Sequence, residues 1–394
     1  MKTAVIGGGA SGMTAAVCAA KNSNCVTVFE RNDKVMKKIL ATGNGRCNLS
    51  NTDISDKYFL STDIDAVQKI LSLFKKEDEA KFFESLGIMF SYEDGRIYPR
   101  SKRASSVVDA LRFEGERLGV KTVTGTEIKF IKKSNGKFVI GEESFNNVII
   151  SCGGSAAPVF GTDGSSFELL KKMGHTINTC RPYLVPLKTE ENVKMLKGIR
   201  VSGKLTIGEL SETGELQFTD YGISGIAAMQ LSCAAEKGKM IYVDLFPEIN
   251  NSELFYQMKK RLDNLYYRRA EDFLTGAVHK LLAVYVLKTL GISPSEISKN
   301  VFDDSTLKRL SETLKSLPFT LKGTLGYKDA QTTLGGASLK EFNPKTLESL
   351  IVKGLYCTGE ALDCAGKCGG YNLHWSWLTG YIAGNACKKE VDNA

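Results

Sequence analysis

Histidine is scarce in this chain. There are three in 394 residues, His175, His279 and His374, and they lie far apart. The ten cysteines include no CxxC pair. Without a cluster at ligand spacing, no zinc or iron site is expected. Long apolar runs are missing too. LLAVYVL, residues 281–287, has a lysine on each side, and a bilayer span needs about 20 apolar residues. The net charge of +8 comes from lysines scattered among acids, with no basic block. Neither a membrane nor a nucleic acid is therefore an expected partner. A strand is read from Thr3, so no leader peptide is expected. The expected location is the cytoplasm, with the cysteines as reduced thiols. Cys18, Cys25, Cys152, Cys233 and Cys357 sit among apolar or small residues and are expected in the core.

What is present is ordinary in bulk, 42% hydrophobic and 24% charged, and long enough for two or three packed units. The most informative stretch is TAVIGGGASGMTAAVCAAKNSNCVTVFE, residues 3–30. A short apolar strand runs into Gly7, Gly9 and Gly12, which satisfy GxGxxG. An alanine-rich helix follows, then a second strand ending in Glu30. Gly7 permits the turn, Gly9 lets a pyrophosphate approach the backbone, and Gly12 allows close helix–strand packing. The helix N-terminus, with Ala10 and Ser11, favours phosphate charge. Glu30 can accept hydrogen bonds from an adenosine ribose and would repel a 2′-phosphate, so FAD or NAD is expected rather than NADP.

Further along, residues 57–86 read as helical, and FSYEDGRIYPRS as a hairpin turning at Asp94-Gly95. ASSVVDALRFEGERLGV reads as a helix. Residues 121–150 read as strands ending in NVIISCGG, which brings Gly153 and Gly154 to the carboxyl end of a sheet. GTDGSSFELLKKMGH resumes a helix capped near Thr162 and Asp163. Residues 1–187 and 321–394 read as one discontinuous nucleotide-binding domain. Between them, 188–320 reads as an insert, a small β unit over 188–250 and helices over 251–320. The fold class is thus α/β, a Rossmann-like domain with an inserted β-plus-helical domain.

The end of the chain, GLYCTGEALDCAGKCGGYNLHWSWLTGYIAGNA, repeats the pattern of strand, glycine loop and helix. A nicotinamide dehydrogenase does not need this second glycine-rich helix N-terminus. A flavoprotein does, because charge on a reduced flavin is stabilised by one.

Four motifs together make the chain similar to the BaiN/YhiN-like, or aminoacetone oxidase-like, family of bacterial FAD-dependent oxidoreductases. They are VIGGGASGMTAA…FE, KKILATGNGRCNLSN, TDYGISG and TGEALD…GGYNLHWSWLTGYIAG. GRIYPRS…ASSVVDAL and LGYKDAQTTLGGASLKEFNPKTLESL also fit, so the resemblance covers nearly the whole chain. It implies a discontinuous FAD domain interrupted by a β-barrel-like unit and a helical unit. Beside the first motif, with Glu30 and Arg31, it assigns Lys38, Thr42, Gly43, Gly45, Arg46, Cys47 and Asn48 to a segment lining FAD. It assigns Gly359, Glu360, Gly370, Tyr371, Asn372 and Leu373 to the closing motif. Three positions depart from the family's usual pattern: Met36 and Asn44 stand where glycine is common, and His374 where glutamine is.

Flavin carries the electron chemistry in such a protein. The expected activity is hydride transfer between flavin N5 and a small or medium organic substrate. One outcome is reduction of an activated C=C bond, of the steroid or bile-acid enone type. No second GxGxxG follows residue 150, so NADH or NADPH would visit only transiently as donor. The other outcome is oxidation of a small amine or amino ketone by O₂. A flavin-bound RNA-associated protein is a further alternative. Tyr371 and His374 are candidate proton donors, or they pack against the flavin ring or the insert. Cys47, Cys364 and Cys368 are redox candidates, or packed or flavin-adjacent thiols. The sequence leaves the catalytic residues, the substrate and the oligomeric state open.

Overall fold

A computed structural model describes residues 1–387. The chain packs into two compact units, one formed by Met1–Tyr183 with the chain from Tyr327 onward, the other by Leu184–Gly326.

The first unit is built on an all-parallel sheet of Lys2–Ile6 (β1), Cys25–Phe29 (β2), Lys121–Val123 (β3), Asn147–Ile150 (β4) and Leu355–Cys357 (β5), in the order β5-β4-β1-β2-β3. Val5 sits between Ile149 and Val28 in register. All of β4 and the last four residues of β1 are buried, as expected of strands covered on both faces. The alanine-rich helix is Ala10–Lys21 (α1), and it packs against the closing helix Tyr371–Ala386. Side chains at Gly380 and Gly384 would forbid this packing. A Cβ there would come within 2.4 Å of Ser11 O and 2.5 Å of Ala15 O.

Residues 57–86 are not one helical run. A strand, Phe59–Leu60, pairs with Ala365–Gly366. Two helices follow, Ile64–Leu71 and Lys76–Ser85 (α2). The hairpin forms as expected, Phe90–Glu93 against Arg96–Pro99, with Asp94 and Gly95 both at positive φ. Ala104–Arg117 (α3) follows it. The closing helix is accordingly α4. The helix expected to be capped near Thr162 and Asp163 begins at Ser165, with Gly164 at φ +85° as its cap. Asp163 instead accepts the Ser165 amide at 3.1 Å, turning the chain just ahead of the helix.

The second unit is a closed six-stranded barrel with helices. Its strands are Leu187–Thr189, Arg200–Ile207, Leu210–Phe218, Gly222–Ser224, Met240–Asp244 and Leu317–Thr324. Arg200–Ile207 alternates between inward and outward residues along its second half, the period-2 pattern of a one-sided strand. Leu317–Thr324 pairs with both Met240–Asp244 and Leu187–Thr189 and closes the barrel. The helical stretch therefore ends at Lys315, with Leu307, Leu310 and Leu314 turned into the core. A strand from the far side of the helices was not readable locally, because its partners lie about 75 residues upstream or more.

Candidate cofactor site

β1 ends at Ile6, and Gly7 turns the chain at φ +100°. A Cβ on Gly7 would come within 2.6 Å of Ser151 O, and one on Gly12 within 1.9 Å of Gly7 O. Gly9 is different. Its φ is −79°, and a Cβ there would meet nothing nearer than Ser151 O at 4.0 Å. The turn is thus closed on its protein side and open at Gly9. α1 begins immediately after, with no side-chain cap and no acid in its first turn. The amides around Ala10 and Ser11 and the helix dipole are placed for an anion.

Glu30 is buried at the end of β2. One oxygen accepts the Gly8 amide at 2.8 Å. The other accepts the Asn32 backbone and side-chain N–H groups, each at 2.8 Å. It therefore braces the glycine turn, and its singly bonded oxygen keeps acceptor capacity for a ribose hydroxyl. Arg31 pairs with Asp163 and Glu127, and the Asp163 hydrogen bond raises its pKa further.

Lys38 and Glu360 meet. Lys38 Nζ lies 2.8 Å from Glu360 Oε2, and Glu360 Oε1 accepts Thr333 N at 3.0 Å and Thr333 Oγ1 at 2.9 Å. Thr333 Oγ1 in turn accepts the amides of Ser155 and Ala156. Gly154 lies in this network: a Cβ there would be 2.4 Å from Thr333 Oγ1 and 2.7 Å from Glu360 Oε1. At Gly153 the φ is +75°. Gly359 lies against the start of α1, where a Cβ would meet Ser11 Oγ at 2.6 Å. Segments 7–12, 38, 153–156, 333 and 359–360 thus converge beyond the carboxyl ends of β1, β4 and β5, where open parallel sheets bind ligands. Thr333 was missed in the sequence. Its role rests on contacts across 27 and 178 residues, which no local pattern reports.

The stretch Thr42–Gly45 is a tight turn with Gly43 and Asn44 both left-handed, and Gly45 and Cys47 also have positive φ. Asparagine tolerates this conformation. Met36, also left-handed and buried, is the costlier departure from glycine. Thr42 Oγ1 donates to Ile39 O at 2.6 Å. Arg46 stacks over Tyr98, 4.8 Å from the ring centre, and pairs with Glu93. It positions the loop rather than standing free. Asn48, expected to fix the turn through hydrogen bonds, has its Oδ1 buried with no protein partner. That orphan acceptor calls for a donor outside the chain's own bonds.

Asn372 clamps the glycine loop, accepting Gly366 N at 2.8 Å and donating to Gly366 O at 2.7 Å. Gly370, at φ +100°, opens α4. Tyr371 stacks on Tyr58 at 4.5 Å, and burial raises its pKa, so it packs rather than presenting a labile proton. On the first turns of α4, Asn372, Leu373 and Ser376 are partly exposed, whereas His374 is buried on another face. His374 is therefore not aimed where a ligand on the open face would lie.

Three of the thiols are quiet. Burial pushes Cys47 and Cys152 up to about 12, and Cys364 well up. Cys25 is exposed at the start of β2, contrary to the expectation for the core, while Cys152 and Cys233 are half-buried. No redox pair is needed to explain these positions.

The sequence profile of the HI0933-like protein Rossmann domain matches residues 1–386. The chain belongs to that family. It is 38% identical to the 3-dehydro-bile acid delta(4,6)-reductase of Clostridium scindens, over 97% of this chain and 98% of that protein. It is 30% identical to the ribosomal RNA dihydrouridine synthase of Haemophilus influenzae, over 96% of each. Among solved structures, the open conformation of a flavocytochrome c3 fumarate reductase superposes with TM-score 0.52 at 16% identity, over 98% of this chain and 78% of that one. That last likeness speaks for the fold alone. The family resemblance drawn from the motifs is borne out, as is the Rossmann-like fold with its barrel. No helix among the described residues is long and apolar enough to cross a membrane.

Proposed function

We propose that this protein, an FAD-dependent oxidoreductase, reduces a C=C bond conjugated to a carbonyl group in a small or medium organic substrate. The observation that carries the cofactor part of the reading is the gathering of the open Gly9 turn, the uncapped start of α1 and the Lys38–Glu360–Thr333 network at the carboxyl ends of adjacent parallel strands. The residues fit FAD: an open cradle for a pyrophosphate at Gly9, an acid at the end of β2 for the ribose, and an orphan acceptor at Asn48. Bound FAD supplies hydride chemistry at its N5.

In this reading Gly7, Gly9, Ala10, Ser11 and Gly12 hold the pyrophosphate, and Glu30 and Arg31 flank the adenosine. Lys38, Glu360, Gly153 and Gly154 border the middle of the cofactor. Loop 42–48 and the partly exposed face of α4 hold the flavin end, where the helix N-terminus favours negative charge. NADH or NADPH serves as a transient electron donor. The substrate class is supported by the Clostridium relative, a reductase by name. A dihydrouridine is likewise a uridine whose carbonyl-conjugated C=C has been saturated, so both relatives' names describe the same bond change. The Haemophilus relative favours a second reading, the same chemistry on a uridine within RNA. The test is anaerobic turnover of the purified, FAD-loaded protein on a steroid enone and on uridine-containing RNA, with NADH or NADPH. Saturated product from the enone supports the first reading, and from RNA alone the second. Neither product, with amine-dependent peroxide formation in air, rejects both.

A further inference from the structure

Three buried polar side chains take no part in the site above. Glu79 on α2 is 4% exposed, and Ser50 and His374 are each 1% exposed. Ser50 Oγ donates to Glu79 Oε2 at 2.7 Å. His374 Nδ1 lies 3.0 Å from the same oxygen and 3.2 Å from Ser50 Oγ. Glu79 Oε1 and His374 Nε2 are buried with no protein partner. An apolar trio of similar volume would cost less to bury, so core packing alone does not call for this cluster.

What the cluster joins is specific. Ser50 follows directly on the loop 42–49, and His374 lies one turn into α4. The same seam carries Trp377 Nε1 donating to Leu49 O at 3.0 Å and Asn51 Nδ2 donating to Gly369 O at 3.0 Å. It is close enough that a Cβ on Gly370 would come 2.5 Å from Ser50 O. The loop and the helix start thus meet along one edge, and Glu79 anchors that edge to α2. Hydrogen bonds of this kind fix distance and angle, which apolar contacts do not.

We infer that Glu79, Ser50 and His374 are positioning residues: they set the placement of loop 42–49 against the N-terminus of α4 and thereby the affinity for the flavin end of FAD. The inference rests on the FAD reading above.

The test compares the wild type with Glu79→Leu, His374→Gln and the triple variant Ser50→Ala/Glu79→Leu/His374→Leu. Urea unfolding of the apoprotein gives stability. Quenching of flavin fluorescence gives the FAD dissociation constant, and visible circular dichroism reports the flavin's surroundings. Glu79→Leu takes the shared acceptor away from Ser50 and His374, which keep only each other at 3.2 Å, and both stability and FAD affinity fall, the latter about tenfold. The triple variant regains stability because the whole cluster is apolar. Its FAD affinity stays about tenfold weak and its flavin dichroism stays altered. His374→Gln keeps a donor toward Glu79 and remains within about twofold of wild type. FAD affinity that returns with stability in the triple variant, or that never changes, overturns the inference alone. A stable wild type that binds no FAD overturns the cofactor reading and this inference with it.

Discussion

Lys38 Nζ lies 2.8 Å from Glu360 Oε2, a contact that closes 322 residues of chain. Glu360 also accepts both hydrogen bonds from Thr333, which holds the backbone beside Gly154. One carboxylate thus ties together four segments that border the candidate site. Glu360→Gln keeps an acceptor for Thr333 but leaves the half-buried Lys38 without its counter-charge. The expected loss is about 1–3 kcal/mol of unfolding free energy, read in urea, with FAD affinity falling about tenfold. Unchanged values for both would show that the pair is incidental.

Gly9 and Gly12 separate binding from folding. A Cβ at Gly9 comes no nearer to the protein than 4.0 Å, at Ser151 O, so Gly9→Val folds and fails to retain FAD. Gly12→Val drives a side chain into Gly7 O and prevents stable folding. Soluble expression, thermal melting and the flavin content of the purified protein distinguish the two. Normal flavin retention by Gly9→Val would mean that the pyrophosphate lies elsewhere.

Thiol reactivity should invert the order that motif reading suggests. Cys47 is fully buried with its thiol pushed up to about 12, whereas Cys25 is exposed. Iodoacetamide at pH 8 should alkylate Cys25 well before Cys47, as mass spectrometry of digests will show. Cys47→Ser should retain turnover, because no thiolate chemistry is assigned to it.

His175 gives the stability a pH dependence. It is held between Glu341 at 2.8 Å and Ser349 at 2.9 Å, and stacks on Phe342. Burial lowers its pKa and outweighs the opposing pull of Glu341. The unfolded chain then binds more protons than the folded one, so stability rises with pH. The contribution is fully present above about 6.5, the unfolded value, and is lost as pH falls through the lowered folded value. At Glu341 burial acts upward, but hydrogen bonds from Thr176 and His175 win and lower its pKa. It therefore adds a second loss in more acidic solution. Urea midpoints measured from pH 8 downward should fall for the wild type. His175→Gln should flatten the upper part of that curve and leave the acidic part.

The sequence makes the nucleotide half of the fold readable because its signals are local. Gly7, Gly12 and Glu30 act within one strand–turn–helix–strand unit, and the structure keeps all three in the expected places. The closing helix was equally visible from Gly370 and the small residues Gly380 and Gly384. What stayed hidden depends on pairing at long range. Leu317–Thr324 becomes a barrel strand only through partners across the helical stretch. Thr333, Ser50 and Glu79 gain their roles from bonds that span tens to hundreds of residues. His374 could be placed on α4 from sequence, but which face it takes was decided by Glu79 on another helix.

The most direct test of the account is anaerobic stopped-flow on the FAD-loaded protein, following the oxidised flavin band at about 450 nm. NADH or NADPH is mixed first, and a steroid enone second. The account predicts bleaching by the nicotinamide, then recovery of the band on addition of the enone, with one saturated product formed per flavin reoxidised. Bleaching by a small amine but not by NADH or NADPH, or a band that recovers only on admission of O₂, would contradict it.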